Sequence, residues 1–329
     1  MLLPLNYRSN ILVVPCTEWL KGSQQRLHHL SKEWSKKNKV YVFYLERQDN
    51  ILSDKIFSDR LEYGTILKIP TIKVRNYTLL LLINFILQVI YLPVIVKKYQ
   101  IQVIVADGLG TSNAASFVAN VLHRRFIFDY SDSYSAFVSS YISNYFGKKI
   151  FESLATIFTN INIRLSNATV VVSDGLLTNQ FDNRKQHKIV NGVSEDYFST
   201  GDSSDNDSKV VLTFMGAVES WVNFESLFDA VKELNDKNDK KLVLRIVGDG
   251  LKLKQVKDSC NKKGLADSVV FTGWVPYAEL HSYLADSDLC VLPFDDSAIS
   301  FRSMPISLSQ FFRPISVLKA LMFTLRYWK

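Results

Sequence analysis

Leu242-Val243-Leu244-Arg245-Ile246-Val247-Gly248-Asp249-Gly250 is the stretch on which the fold turns. Its first six residues form a nearly unbroken aliphatic run, the pattern of a strand buried on both faces in a parallel sheet. Gly-Asp-Gly then breaks the run, and a helical pattern starts at Leu251. Strand, tight turn and helix together are the repeating unit of a doubly wound α/β domain. The glycines alone specify a tight strand-to-helix turn and nothing about a ligand.

The same unit recurs in both directions. Short β-branched runs lie at Val210 to Phe214, Val269 to Thr272 and Leu289 to Leu292, and earlier at Ile11 to Val14, Val40 to Leu45, Gln102 to Val105, Arg125 to Phe128 and Thr169 to Val172. Helix-length segments separate them. Between the two sets lies S-T-G-D-S-S-D-N-D-S (199–208), the most polar stretch of the chain and a natural linker. The expected organisation is an N-terminal Rossmann-like domain over 1–197, a linker over 198–208 and a C-terminal Rossmann-like domain over 209–329, facing each other across a cleft. Asn223 is placed to cap a helix carrying Leu227, Val231 and Leu234, and Pro276 suits the first turn of a helix before Leu280.

Composition sets the boundaries for function. With 329 residues, 47% hydrophobic and 22% charged, the chain is long and apolar enough for two cores, which excludes disorder. A net charge of +7 favours anionic partners such as phosphates, acidic sugars or anionic lipid. No Lys/Arg cluster is interleaved with aromatics, so nucleic acid is not expected as a partner. Cys16, Cys260 and Cys290 are odd in number and far apart, which offers neither a disulfide framework nor a zinc site and fits a reducing cytoplasm. The apolar run before Arg8 is too short for a secretory signal. Tyr77 to Val96 has the length of a bilayer span, but Asn84, Gln88 and Pro93 interrupt it and a span would cut a βαβ unit in two. It reads as a buried or interfacial helix, which would place the protein in the cytoplasm at the inner face of the cell membrane.

In open α/β sheets, ligands meet the C-terminal ends of strands, so chemistry is sought there. After the first strand, Glu18 to Arg26 includes Gly22, Gln25 and, one turn on, His28, a candidate acceptor-side loop whose alternative is an ordinary turn with a packed histidine. Asp129 and Asp132 follow the fourth strand and could orient a hydroxyl or take its proton, with loop capping as the competing role. Asp107-Gly108 holds a comparable position after the third strand. No metal-ligand spacing, nucleophile elbow, P-loop or G-x-G-x-x-G is present, and neither metal nor cofactor is expected.

A series of short signatures runs in order along the chain: Val170-Val171-Val172-Ser173; Ile189-Val190-Asn191-Gly192-Val193; Phe214-Met215-Gly216; Ile246-Val247-Gly248-Asp249-Gly250; Val270-Phe271-Thr272-Gly273-Trp274-Val275; and Ala285-Asp286-Ser287-Asp288 before Val291-Leu292-Pro293. In this order they resemble family 4 glycosyltransferases of the GT-B fold, the group 1 type, closely over Thr169 to Phe294 and more loosely before. The resemblance implies a metal-independent transfer of a sugar from a nucleotide-sugar donor held mainly by the second domain to a glycan or lipid-linked glycan held mainly by the first, in polysaccharide or glycoconjugate synthesis. It favours retention, and the residues themselves leave retaining and inverting outcomes open. It implies that Gly216, Gly248 and Asp249 line the donor phosphates and that Trp274 and Val275 hold the base. Such a leaving group needs positive charge and backbone N–H donors, in keeping with a basic chain whose strands end in glycine.

Two departures bear on activity. Where relatives carry an Arg and a Lys after the first glycine, this chain reads Ala217-Val218-Glu219-Ser220-Trp221-Val222-Asn223-Phe224, a G-A-x-x-x-W-x-x-F form similar to a polysaccharide-associated subgroup. The family's P-x-K-L-x-E-Y segment is replaced by Pro305-Ile306-Ser307-Leu308-Ser309-Gln310-Phe311, with Gln310 at the position of the ribose-gripping Glu, and the match then stops. The expectation is an incomplete second domain, truncated or frameshifted after about Ser303, its sheet ending at the fourth strand. The alternatives to an active transferase are a degenerate binding relative and a GT-B sugar-nucleotide epimerase.

Overall fold

The computed structural model describes residues 9–16, 19, 26–48, 56–72, 77–136, 144–192, 209–276, 279–295 and 320–321. The chain divides into two compact units, Met1–Val190 and Asn191–Lys329. The linker expected over 198–208 lies outside the described residues.

Unit 1 is built on an eight-stranded sheet of order β3-β4-β2-β1-β5-β6-β7-β8. Five strands fall where the aliphatic runs lie: β1 (Asn10–Val14), β2 (Lys39–Gln48), β5 (Val103–Asp107), β6 (Arg125–Tyr130) and β7 (Ala168–Val171). Each pairs in parallel with its neighbour. Three strands had no readable signal. β3 (Phe57–Leu61) is exposed over its first four residues, with Leu61 against the core, and its antiparallel pairing with β4 (Gly64–Ile72) forms the sheet edge. Within β4, Lys68 and Pro70 break the apolar pattern, and Pro70 lies beyond the pairing with β3, where a missing N–H is tolerated. β8 (Gln186–Lys188) is three residues long.

From β1 the sheet grows one way through α1 (Arg26–Ser35) and the other way through α2 (Tyr77–Lys98), α3 (Leu109–Val121) and α4 (Tyr145–Leu165). Right-handed crossovers therefore put α1 on one face and the other three on the opposite face, where α3 packs between α2 and α4. The two-residue period of β1 serves both layers. Ile11 and Val13 join Leu27 of α1, Val42 and Ile66 in one core, and Leu12 and Val14 are buried on the other side. The twenty-residue apolar segment is thus a helix laid on a sheet. Gln88, Leu92, Ile95 and Val96 are buried, with the Gln88 Nε2 3.5 Å from Thr111 Oγ1 of α3. Among the described residues no helix is long and apolar enough to cross a membrane.

Unit 2 carries a five-stranded, all-parallel sheet of order β11-β10-β9-β12-β13. Its first four strands, β9 (Lys209–Met215), β10 (Lys241–Val247), β11 (Val269–Gly273) and β12 (Leu289–Val291), match the aliphatic runs. The sheet does not end there. β13 (Ala320–Leu321) pairs in parallel with Cys290 and Val291, correcting the expectation of a four-strand limit. Residues 296–319 and 322–329, including Gln310 and the segment where the family match stops, lie outside the described residues. Helices α5 (Phe224–Lys237), α6 (Leu253–Lys262) and α7 (Leu280–Ala285) connect the strands. Asn223 caps α5 as its position indicates, its Oδ1 accepting from Ser226 N at 3.0 Å. Pro276 stands ahead of α7 rather than in its first turn, and its carbonyl accepts from Glu279 N at 2.9 Å. The core centres on Phe214, Phe224 and Phe228, with Phe214 and Phe224 edge to face at 5.0 Å.

Candidate functional site

In unit 1 the strand order reverses between β1 and β5, and loops leaving the C-terminal ends of such strands diverge to opposite faces and open a crevice. Cys16 follows β1 there, and Asp107 ends β5. The Asp107 Oδ1 accepts from Cys16 N at 2.6 Å. Gly108 holds φ +72°, and a Cβ on it would lie 2.2 Å from Cys16 Cβ, so only glycine allows the two loops to meet. The Gly108 N–H donates to Tyr134 Oη at 2.8 Å, which brings the loop after β6 into the same cluster. Burial, and then the charge of Asp129, push the Asp107 carboxyl up to about 7 against the opposing pull of the Cys16 N–H.

Asp129 lies at the end of β6, buried, with both carboxylate oxygens on Arg26 Nε at 3.1 and 3.2 Å. Arg26 also donates from Nη1 to Val190 O at 3.1 Å. Burial raises the Asp129 pKa, opposed by Arg26. The carboxylate therefore anchors the first residue of α1 through an ion pair, a structural role different from the loop capping weighed in the sequence. Asp132 is exposed on the following loop. His28 stacks on buried Trp19 with centroids 3.6 Å apart, and its Nε2 is 2.9 Å from Trp19 O, so the ring is part of the packing under α1. Gly22 and Gln25 lie outside the described residues. Asp107 stands at the reversal itself with its carboxyl pushed up to about 7, and strand order decides this where sequence position could not.

In unit 2 the loops after β9, β10 and β11 interlock through their backbones. Gly216 N donates to Val247 O at 3.0 Å, Val218 N to Asp249 O at 3.0 Å, Lys252 N to Val218 O at 3.0 Å and Gly248 N to Gly273 O at 2.9 Å. A Cβ on Gly248 would lie 2.0 Å from Gly216 O, and one on Gly250 would lie 2.3 Å from Val218 O. These two glycines are thus required by the contact of one loop with the next. At Gly216, φ is +155° and an added Cβ would meet only Phe214 Cζ at 3.5 Å, leaving room for a ligand beside the strand end. Its own N–H is engaged by Val247, so open space rather than a free donor is what Gly216 contributes.

Asp249 Oδ1 accepts from Gly250 N at 2.7 Å and closes the turn. Glu219 is a residue no motif marked. It is buried, and its Oε1 accepts from Leu251 N at 3.1 Å, tying the β9 loop to the start of α6. Trp274 is 63% exposed just past β11, and Val275 packs with Met215, Val247 and Leu284. The A-D-S-D signature is explained by sheet assembly: Asp286 pairs with Arg245 at 2.7 Å, Ser287 Oγ meets Thr213 Oγ1 at 2.6 Å, and Asp288 Oδ2 accepts from Val211 N at 2.8 Å. Trp221 and Phe224 of the G-A-x-x-x-W-x-x-F stretch pack in the core. Among the described residues no cluster of three or more His, Cys, Asp or Glu could hold a metal ion.

The arrangement offers two chemistries: a carboxyl that can hold or release a proton near neutral pH in unit 1, and in unit 2 a glycine-lined rim with an exposed indole. Residues 199–308 match the family of glycosyl transferases group 1. No curated protein matches the chain in sequence. Among solved structures, the chain is similar to sucrose-phosphate synthase from Thermosynechococcus elongatus, with 12% identity, 94% of this chain and 77% of that one covered, and a TM-score of 0.67. It is similar to HepE of Anabaena in complex with UDP and glucose, at 14% identity over 87% of this chain and 74% of that one, TM-score 0.61. A third similar structure is an α,α-trehalose-phosphate synthase from Burkholderia xenovorans, at 8% identity over 92% and 82% of the two chains, TM-score 0.65. At these identities the likeness is one of fold, and the fold is that of the GT-B glycosyltransferases.

Proposed function

We propose that this chain, whose residues 199–308 carry the sequence of a group 1 glycosyl transferase, is a glycosyltransferase that moves a sugar from a nucleotide-sugar donor to a glycan or lipid-linked glycan acceptor. The observation that carries the reading is the coincidence of that match with the interlocked loops after β9, β10 and β11, whose glycines bring three backbones together at one sheet edge. The donor is held by unit 2, its diphosphate in the space beside Gly216 and its base on Trp274. The only cation these loops carry is Lys252, at the start of α6, and it supplies positive charge that the stretch 217–224 lacks. In unit 1, Asp107 takes or orients the proton of the acceptor hydroxyl, and Asp129 and Asp132 shape its field. The enzyme works in the cytoplasm at the inner face of the membrane, which α2 contacts reversibly with Lys97 and Lys98 at its C-terminal end.

Calorimetry with a panel of nucleotide sugars tests the donor site, starting with UDP-glucose because HepE was solved with UDP and glucose. Trp274→Ala should weaken binding about 10- to 100-fold, the range expected for losing one base–aromatic stack, without moving the melting temperature of so exposed a residue. Equal affinity in parent and variant removes Trp274 from the site, and no binding of any nucleotide sugar overturns the proposal. Product analysis completes the test: transfer needs an acceptor, and conversion of the donor alone would make the protein an epimerase.

A further inference from the structure

Among the described residues, 15 of the 23 exposed large hydrophobic side chains sit on α2, α3 and α4, so the outer layer of unit 1 is apolar in a way that no other face is. They form stripes. Leu82, Ile86, Ile90 and Val94 recur every fourth residue along α2, Phe117 and Val121 are one turn apart on α3, and Ile150, Leu154, Ile157 and Ile161 follow the 3-4 period on α4. The three helices lie side by side on one sheet face with α3 between the others, so the stripes are neighbours. Monomeric soluble proteins seldom leave an apolar patch of this extent without an occupant.

The charges select the occupant. The three helices contain Lys97, Lys98, Lys148, Lys149 and Arg164 against a single acid, Glu152. Each helix runs back against the strands it connects, which brings their C-terminal ends to one edge, where Lys97, Lys98, Arg124, Arg125 and Arg164 are all exposed. None of these seven cations forms an ion pair among the described residues. A second copy of the chain on this face would bring like charges together around the rim. An anionic lipid surface complements both features, the acyl boundary taking the stripes and the headgroups taking the rim.

We propose that the whole outer layer of α2, α3 and α4 is a docking surface for anionic lipid, with the cationic edge against the headgroups. This rests on the reading of α2 as an interfacial helix and extends it to a plane that fixes how unit 1 lies on the membrane. Flotation of the full chain with phosphatidylcholine vesicles, with and without phosphatidylglycerol, separates the terms. The parent should float with anionic vesicles at low salt, less at high salt, and little with phosphatidylcholine alone. Ile157→Glu/Ile161→Glu on α4 and Ile86→Glu/Ile90→Glu on α2 should each reduce the bound fraction at least tenfold, with circular dichroism and UDP-glucose affinity unchanged. Lys148→Glu/Lys149→Glu, which alters only exposed lysines, should lower binding to anionic vesicles alone. Loss with the α2 variant but none with either α4 variant would overturn the three-helix surface and leave the α2 contact standing. Failure of the parent to float would overturn both, and a dimer that resists vesicles would assign the face to a second copy.

Discussion

Burial beneath Cys16 and Tyr134 takes Asp107 out of water, and Asp129 adds a like charge beside it, so the carboxyl keeps its proton up to about pH 7 in the folded chain. In the unfolded chain it titrates near the ordinary value, about 3.9. A folded pKa above the unfolded one gives stability that is complete below about pH 4 and lost as the pH rises toward 7. Asp107→Asn removes the ionisation and keeps an oxygen for the Cys16 N–H. The variant should therefore unfold at higher urea than the parent at pH 8, by on the order of a few kcal/mol, and the two should converge at pH 4. Parallel stability curves across that range would remove Asp107 as the titrating group. None of this could be read from the string Ala106-Asp107-Gly108. It depends on Cys16, ninety-one residues earlier, reaching the same strand end.

At the scale of the element, the legible features were those with local causes. The aliphatic runs place nine strands, and Asn223 caps α5 through a bond to its own first turn. Asn223→Ala should cost about 1 kcal/mol, the usual loss for a helix N-cap, measured by chemical unfolding of the full chain. An unchanged midpoint would mean that water or the Asn223 N to Pro293 O bond holds the helix start by itself. Features with distant causes were not legible. β3 has only Phe57 and Leu61 as apolar residues, of which Leu61 packs against the core, and it is held as a strand by the edge that β4 offers it. The A-D-S-D signature enters the sequence only as one of an ordered series of short motifs, and its physical basis appears only in three dimensions, where Asp286 pairs with Arg245 of β10, Ser287 meets Thr213 of β9 and Asp288 accepts from Val211 of β9.

For the whole molecule, a nucleotide sugar held by unit 2 should stabilise that unit and leave the other as it was. At a ligand concentration about 100 times Kd the gain is about 2.7 kcal/mol, or roughly 100-fold slower amide exchange where exchange requires unit unfolding. Hydrogen exchange should show this slowing in β9, β10 and β11 and none in β1, β5 and β6. Protection of the β1 and β5 amides instead would assign the donor to unit 1. The sequence by itself determined the α/β class, the two sets of parallel strands, the four aliphatic runs of the second sheet and the resemblance to group 1 glycosyltransferases. All of these rest on periodicity and short motifs, which arise from burial within a single element. Only the tertiary structure decided that Asp129 is bound by Arg26, that His28 packs on Trp19, that Gly248 and Gly250 serve loop-to-loop contact, and that three helices share one apolar, basic face. Those facts depend on strand order and crossover handedness, which bring residues far apart in the chain to the same place and leave no mark in any one segment.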